Sequence, residues 1–179
     1  MLAPILIGLA VLVILFLIVV AIRPSEFRIT RTTRIAAPPS AVFAQVNDFH
    51  RWTAWSPWEK LDPELKRTYS GPNSGTGTIY ACAGNKQVGE DRMTLTETCP
   101  QDLTRIQLEF IKPFAATSLA EFTFRLEGQQ TVVTWSMSSR HNFISKAFCM
   151  FMNMDKMVGG DFEKGLTPLK SVVETGPLH

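Results

Sequence analysis

The first charged side chain in this sequence is Arg23. Residues 1–22, MLAPILIGLAVLVILFLIVVAI, are uncharged and almost wholly apolar, and Arg23, Arg28, Arg31 and Arg34 come directly after. A helix crosses the roughly 30 Å of a bilayer core with about 20 apolar residues, so this stretch is long enough to span. A cleaved secretory signal is the rival reading. It requires a basic n-region, an apolar core of about 7–15 residues and a small-residue cleavage site. Here no Lys or Arg precedes the core, the core is longer, and the exit reads Val-Ala-Ile-Arg-Pro. The expectation is an uncleaved single-pass anchor over residues 1–22 and then one domain over residues 23–176. The arginines beyond the span place that domain in the cytoplasm, at the inner (plasma) membrane, because Lys and Arg concentrate at cytoplasmic ends. Cys82, Cys99 and Cys149, an odd count at irregular spacing, do not make a disulfide framework.

The chain beyond the apolar run has a length that suits one domain with a sizeable core. A formal net charge of +2 is too slight for nucleic acid, and the arginine group is expected to face anionic headgroups. Phe27 to Ile35 alternates, with Phe27, Ile29 and Ile35 on one face and Arg28, Thr30, Thr32 and Arg34 on the other, the period of a half-buried strand. Pro38-Pro39-Ser40 opens a helical stretch with Ser40 as its expected cap. Trp52, Trp55 and Trp58 then recur every third residue and would share a face in a short helix or 3₁₀ turn. From Lys66 onward short alternating runs are separated by turn residues, and residues 76–82, 87–99, 105–110, 117–127 and 131–140 read as antiparallel strands. From Phe143 to Val173 the period changes to about 3.6. Phe151, Met154, Val158, Phe162, Leu166, Leu169 and Val173 form one stripe, which predicts a single long helix. Gly159 and Gly160 in its middle predict a bend or a close approach to another surface, since each glycine weakens a helix by about 1 kcal/mol relative to alanine.

Strand, helix pair, a run of five or six antiparallel strands and a long helix give an α+β helix-grip fold, a curved antiparallel sheet wrapped around the C-terminal helix that covers its dry face. With that order in place, the sequence resembles the SRPBCC superfamily, also called START-like or Bet v 1-like, in its membrane-anchored bacterial branch labelled polyketide cyclase/dehydrase and lipid transport. The resemblance covers about Glu26 to Glu174 and rests on IAAPPSAVFAQVNDFHRWTAWSPWEKLDP, KRTYSGPNSGTGTIYACAGN, the VTW of the last strand and MDKMVGGDFEKGLTPLK. It implies an apolar cavity between sheet and helix that takes lipids, sterols, polyketides or other hydrophobic molecules. Cys82 stands where an aromatic residue is common in such relatives, which implies more room or altered reactivity in the space it faces.

His50, His141 and His179 lie far apart and no HExxH or paired CxxC is present, so no metal site is expected. No GxSxG elbow marks a serine nucleophile, and Cys149 sits in the apolar stretch AFCMFM as a buried thiol. No catalytic residue and no cofactor are assigned. For acid–base work the candidates are Asp91, Glu97, Glu109 and Glu121; alternation puts Glu109 and Glu121 on the wet face and Glu97 in phase with Met93 and Leu95. Arg92 and Arg140 are candidate anchors for a ligand carboxylate. Met150, Met152, Met154 and Met157 offer a soft helix surface able to re-pack around varied shapes. The residues expected to line a ligand cavity are Trp55, Tyr80, Met93, Phe110, Trp135, Met154, Met157 and Gly160. The leading reading is a membrane-anchored binding domain for a hydrophobic small molecule or lipid, held to the membrane through the N-terminal helix. The alternatives are a cyclase/dehydratase-like enzyme acting on an apolar substrate and a co-chaperone-like protein-interaction module. The oligomeric state is open.

Overall fold

In the computed structural model, which describes residues 2–113, 115–140, 143–150 and 153–176, the alternating runs form one antiparallel sheet. Its strands are β1 (Glu26–Ile35), β2 (Lys66–Ser70), β3 (Ile79–Ala83), β4 (Glu90–Cys99), β5 (Leu103–Lys112), β6 (Ala116–Glu127) and β7 (Gln130–Arg140), in the spatial order β1-β7-β6-β5-β4-β3-β2. The short strand β2, which the sequence pattern does not separate, closes one edge beside β3. Ala120, Phe122 and Phe124 of β6 are buried on the dry face together with Val133, Trp135 and Met137 of β7. Leu126, in phase with the same row, is 61% exposed at the end of the β6–β7 hairpin.

The wet face carries a cross-strand chain of charges. Arg28 on β1 reaches Glu121 at 3.3 Å, Arg105 on β5 binds the same carboxylate at 2.9 Å, and Arg105 also pairs with Glu97. Such exposed pairs contribute at most about 1 kcal/mol each. Glu97 reaches this face because the β4–β5 pairing slips between Leu95 and Glu97. A bulge adds one residue to the strand and resets the alternation, so Glu97 leaves the phase it shares with Met93 and Leu95 in the sequence.

The helices are α1 (Leu2–Ile22), α2 (Pro39–Val46), α3 (Phe143–Cys149) and α4 (Met154–Thr175), with 3₁₀ turns at Phe49–Ala54 and Trp58–Lys60. The single helix expected over 143–173 is therefore divided. Asn153 caps α4, its side chain accepting the Lys156 N–H at 2.9 Å, and Asp155 lies in the first turn, both of which start a helix rather than continue one. Phe151 of the predicted stripe and Met152 lie outside the described residues, whereas Phe162, Leu166, Leu169 and Val173 are buried as the period requires. Ser40 does not cap α2. Pro38 holds that position without a side-chain hydrogen bond, and Pro39 in the first turn has no N–H to satisfy.

Two glycines of α4 allow it to lie close to the sheet. A Cβ on Gly159 would collide with the Arg31 guanidinium, which crosses from β1 to bind Asp155 at 3.0 Å and Glu163 at 2.7 Å. A Cβ on Gly165 would meet Cζ3 of Trp135 at 2.9 Å and Cδ of Pro57 at 3.1 Å. α1 behaves differently from the rest: its window Pro4–Ile22 has a mean hydropathy of 3.6 and is only 6% buried. By length and composition it is able to cross a membrane, as a signal sequence also would be.

Candidate functional site

Between α4, the two 3₁₀ turns and the dry face of β3–β7 lies a cavity of about 260 Å³, close to the lower end of the roughly 300–1,000 Å³ usual for small-molecule sites. Trp52, Trp58, Trp135 and Phe162 line one part of it, and Met93, Leu108 and Ala120 of β4–β6 another. Trp135 anchors the aromatic part. Its indole lies flat on Phe162 with ring centroids 4.0 Å apart and planes 6° from parallel, and Phe122 stacks on it at 4.7 Å. The cavity opens where Met157, 46% exposed, and Gln87 reach solvent.

One end of the cavity is polar. Glu59, from the turn after Trp58, has a side chain only 6% exposed; it accepts from Arg67 Nε at 2.6 Å and from the Tyr80 hydroxyl at 2.5 Å. Beside it the Cys82 thiol donates to Asp91 Oδ1 at 3.1 Å. Burial, reinforced by the hydrogen bond to Glu59, holds the Tyr80 hydroxyl well above its ordinary pKa. Burial and the neighbouring Asp91 push the Cys82 thiol up to about 12, so Cys82 is a protonated donor near neutrality rather than a nucleophile. Burial also raises the Asp91 carboxyl, with Glu59 adding to the effect. Hydrogen bonding to Glu59 raises the Arg67 guanidinium, which stays charged.

Of the eight residues expected to line the cavity, Tyr80, Met93, Phe110, Trp135 and Met157 do so. Trp55 is fully buried behind the wall, its ring edge-on to Trp135 at 5.9 Å. Met154 packs half-buried against the core at the start of α4 without reaching the cavity. Gly160 is corrected as well: it borders open space and is absent from the lining, because its helical position turns away from the sheet while Val158, Asp161 and Phe162 turn toward it.

Among the acid candidates only Asp91 lines the cavity. Glu109 and Arg92 face one another on the wet side at 4.0 Å, and Arg140 pairs with Glu26 there. Glu59 is not among the sequence-predicted residues. Its neighbour Trp58 stands out in the tryptophan spacing, but nothing in the spacing of WEK distinguishes a carboxylate that turns into the fold from one that turns to water. Cys149 is half-buried, with burial raising its thiol. His50 stacks on Tyr69 at 4.1 Å near the surface, and His141 and His179 lie outside the described residues. No cluster of metal-binding side chains occurs among the described residues. A wider groove of about 690 Å³ runs over the wet face along Arg28, Leu119 and Ser138. It is shallow and open to solvent, and a hydrophobic ligand gains most where its surface is enclosed.

A search among curated proteins finds no match. Solved structures share the fold: a protein of unknown function from Staphylococcus aureus (TM-score 0.63, 12% identity, covering 86% of this chain and 97% of that one), the Aha1 dimer from Colwellia psychrerythraea (0.58, 18%, 84% and 98%), and a protein from Chromobacterium violaceum (0.59, 13%, 85% and 99%). At such identities the likeness is one of fold alone. The family profile described as polyketide cyclase / dehydrase and lipid transport matches residues 26–174, nearly all of the chain beyond α1, and the chain therefore belongs to the polyketide cyclase/dehydrase and lipid transport family.

Proposed function

We propose that this protein binds a hydrophobic small molecule or lipid in the cavity beneath α4 and is held to the membrane by α1. The observation that carries this reading is the enclosed space itself, with walls of Leu, Met, Phe and Trp side chains and one polar end formed by Glu59, Tyr80, Cys82 and Asp91. A buried apolar surface with a few convergent polar groups is what orients a ligand while gaining affinity from desolvation. The tether supports it. Only Arg23, Pro24 and Ser25 separate the end of α1 from the start of β1, so a spanning α1 keeps the cavity close to a reservoir of apolar molecules. The arginines beyond α1 favour a domain on the cytoplasmic side of the inner membrane.

A second reading, a cyclase- or dehydratase-like enzyme, is favoured by one observation: Asp91, at the polar end of the cavity, is a carboxyl with a pKa raised by burial, a setting suited to proton transfer. The test is a binding titration read by the fluorescence of Trp58 and Trp135, both in the wall, against fatty acids, phospholipids, sterols and aromatic polyketides. One saturable site is expected, lost when Ala120→Phe fills the cavity. Absence of saturation across the panel, together with capture of one specific protein, would replace this reading with the interaction module. Turnover of a bound polyketide that vanishes in Asp91→Asn would promote the enzyme.

A further inference from the structure

We infer that the ligand preferred by this cavity is a lipophilic cation, an apolar or aromatic body carrying an amine or quaternary ammonium group, with Asp91 as its counter-ion. The inference rests on the cavity being a ligand site, as proposed above. Its starting point is a sign. Among the described residues, the charged side chains that line the cavity are Glu59, Asp91 and Asp161, with no Lys, Arg or His. Two of these charges are already balanced by the protein: Glu59 by Arg67 at 2.6 Å, and Asp161 by Lys164 at 2.9 Å. Asp91 is not. Among the described residues its side chain has one partner, the Cys82 thiol, and no basic group.

A thiol is a weak donor, and a largely buried carboxylate is unfavourable until a charge or strong donors meet it. An entering fatty-acid carboxylate would place a further negative charge beside Asp91 and Glu59. An ammonium group would supply the missing partner. The surroundings suit it in a second way. Asp91 stands between Cys82 on β3 and Phe110 on β5 in the strand register, and Tyr80, Trp58 and Phe162 share the same walls. Aromatic faces attract cations, most strongly where water is excluded.

The test uses the full chain in neutral maltoside micelles and three probes of matched shape: 4-phenylbutyltrimethylammonium, 5-phenylpentanol and 5-phenylpentanoate, each titrated against tryptophan fluorescence. The cation is expected to bind at least tenfold more tightly than the alcohol, and the carboxylate more weakly than either. Asp91→Asn should abolish the preference for the cation while leaving the alcohol within about twofold. An alcohol that binds as well as the cation, a carboxylate that binds best, or a preference that survives Asp91→Asn overturns the inference while leaving the hydrophobic site standing. If none of the three probes binds, the ligand-site reading falls with it. The charge series in the unsubstituted chain decides the matter even where Asp91→Asn fails to fold.

Discussion

Phe162 is the side chain whose loss tests the packing of α4 on the sheet. It is 1% exposed and lies flat against Trp135 at 4.0 Å. Truncation to alanine removes on the order of 100–150 Å² of buried apolar surface, worth about 3 kcal/mol at roughly 25 cal/mol per Å². Loss of the ring stack adds about 0.5–1.5 kcal/mol. An opposing consideration brings the figure down: one edge of the ring already borders the 260 Å³ cavity, so the hole left behind merges with existing space instead of stranding a full shell of neighbours. The expectation is a destabilisation of about 3 kcal/mol, at the lower end of the roughly 3–5 kcal/mol range for such truncations. Urea unfolding of residues 24–176, read by tryptophan fluorescence, should show the midpoint lowered by about 1–3 M with an unchanged slope, given slopes of about 1–3 kcal/mol per M. A loss below about 1 kcal/mol would show that Phe162 does not pack between helix and sheet, and the assignment of the buried face of α4 would fail.

Two glycines of α4 should respond with opposite signs. Gly165→Ala, whose methyl meets the rigid Trp135 and Pro57 rings, should destabilise by about 1–2 kcal/mol after overpacking outweighs the gain in helix propensity; Gly160→Ala, facing open space, should stabilise by up to about 1 kcal/mol, and equal thermal shifts for the two would refute the placement. Cys82, with its thiol pushed up to about 12, should resist maleimide at pH 8 and react about tenfold faster per pH unit up to that value, because the thiolate is the reacting form; labelling of the Cys82 peptide at the rate of an ordinary thiol would contradict its burial beside Asp91. With α1 spanning and the domain cytoplasmic, a reporter enzyme active only in the periplasm and fused after residue 176 should stay silent, and activity would reverse the orientation.

Much of the fold was legible because it rests on periodicity, which is a local property. A period of two in residues 117–127 and of about 3.6 in residues 154–173 dictates which side of each element is dry, and a sheet with one dry face requires a covering helix. The uncharged run over residues 1–22 is legible for the same reason, since its length and composition suffice to make it a candidate span. What the sequence could not reveal is whatever depends on where two elements end up facing each other. The division of the final helix turned on a cap at Asn153 competing with an apolar pattern that reads straight through it. Glu97 kept its apparent phase in the sequence and lost it to a bulge. Gly159 and Gly165, not Gly160, are the close approaches, because only the packed geometry decides which side of α4 meets Arg31 or Trp135. The polar end of the cavity was the least legible part: Glu59 and Asp91 are ordinary carboxylates along the chain, separated by 32 positions. They share one wall only because antiparallel pairing of β3 with β4 and the turn after Trp58 bring them there, and the resulting burial gives Asp91 a chemistry that its residue type alone does not have.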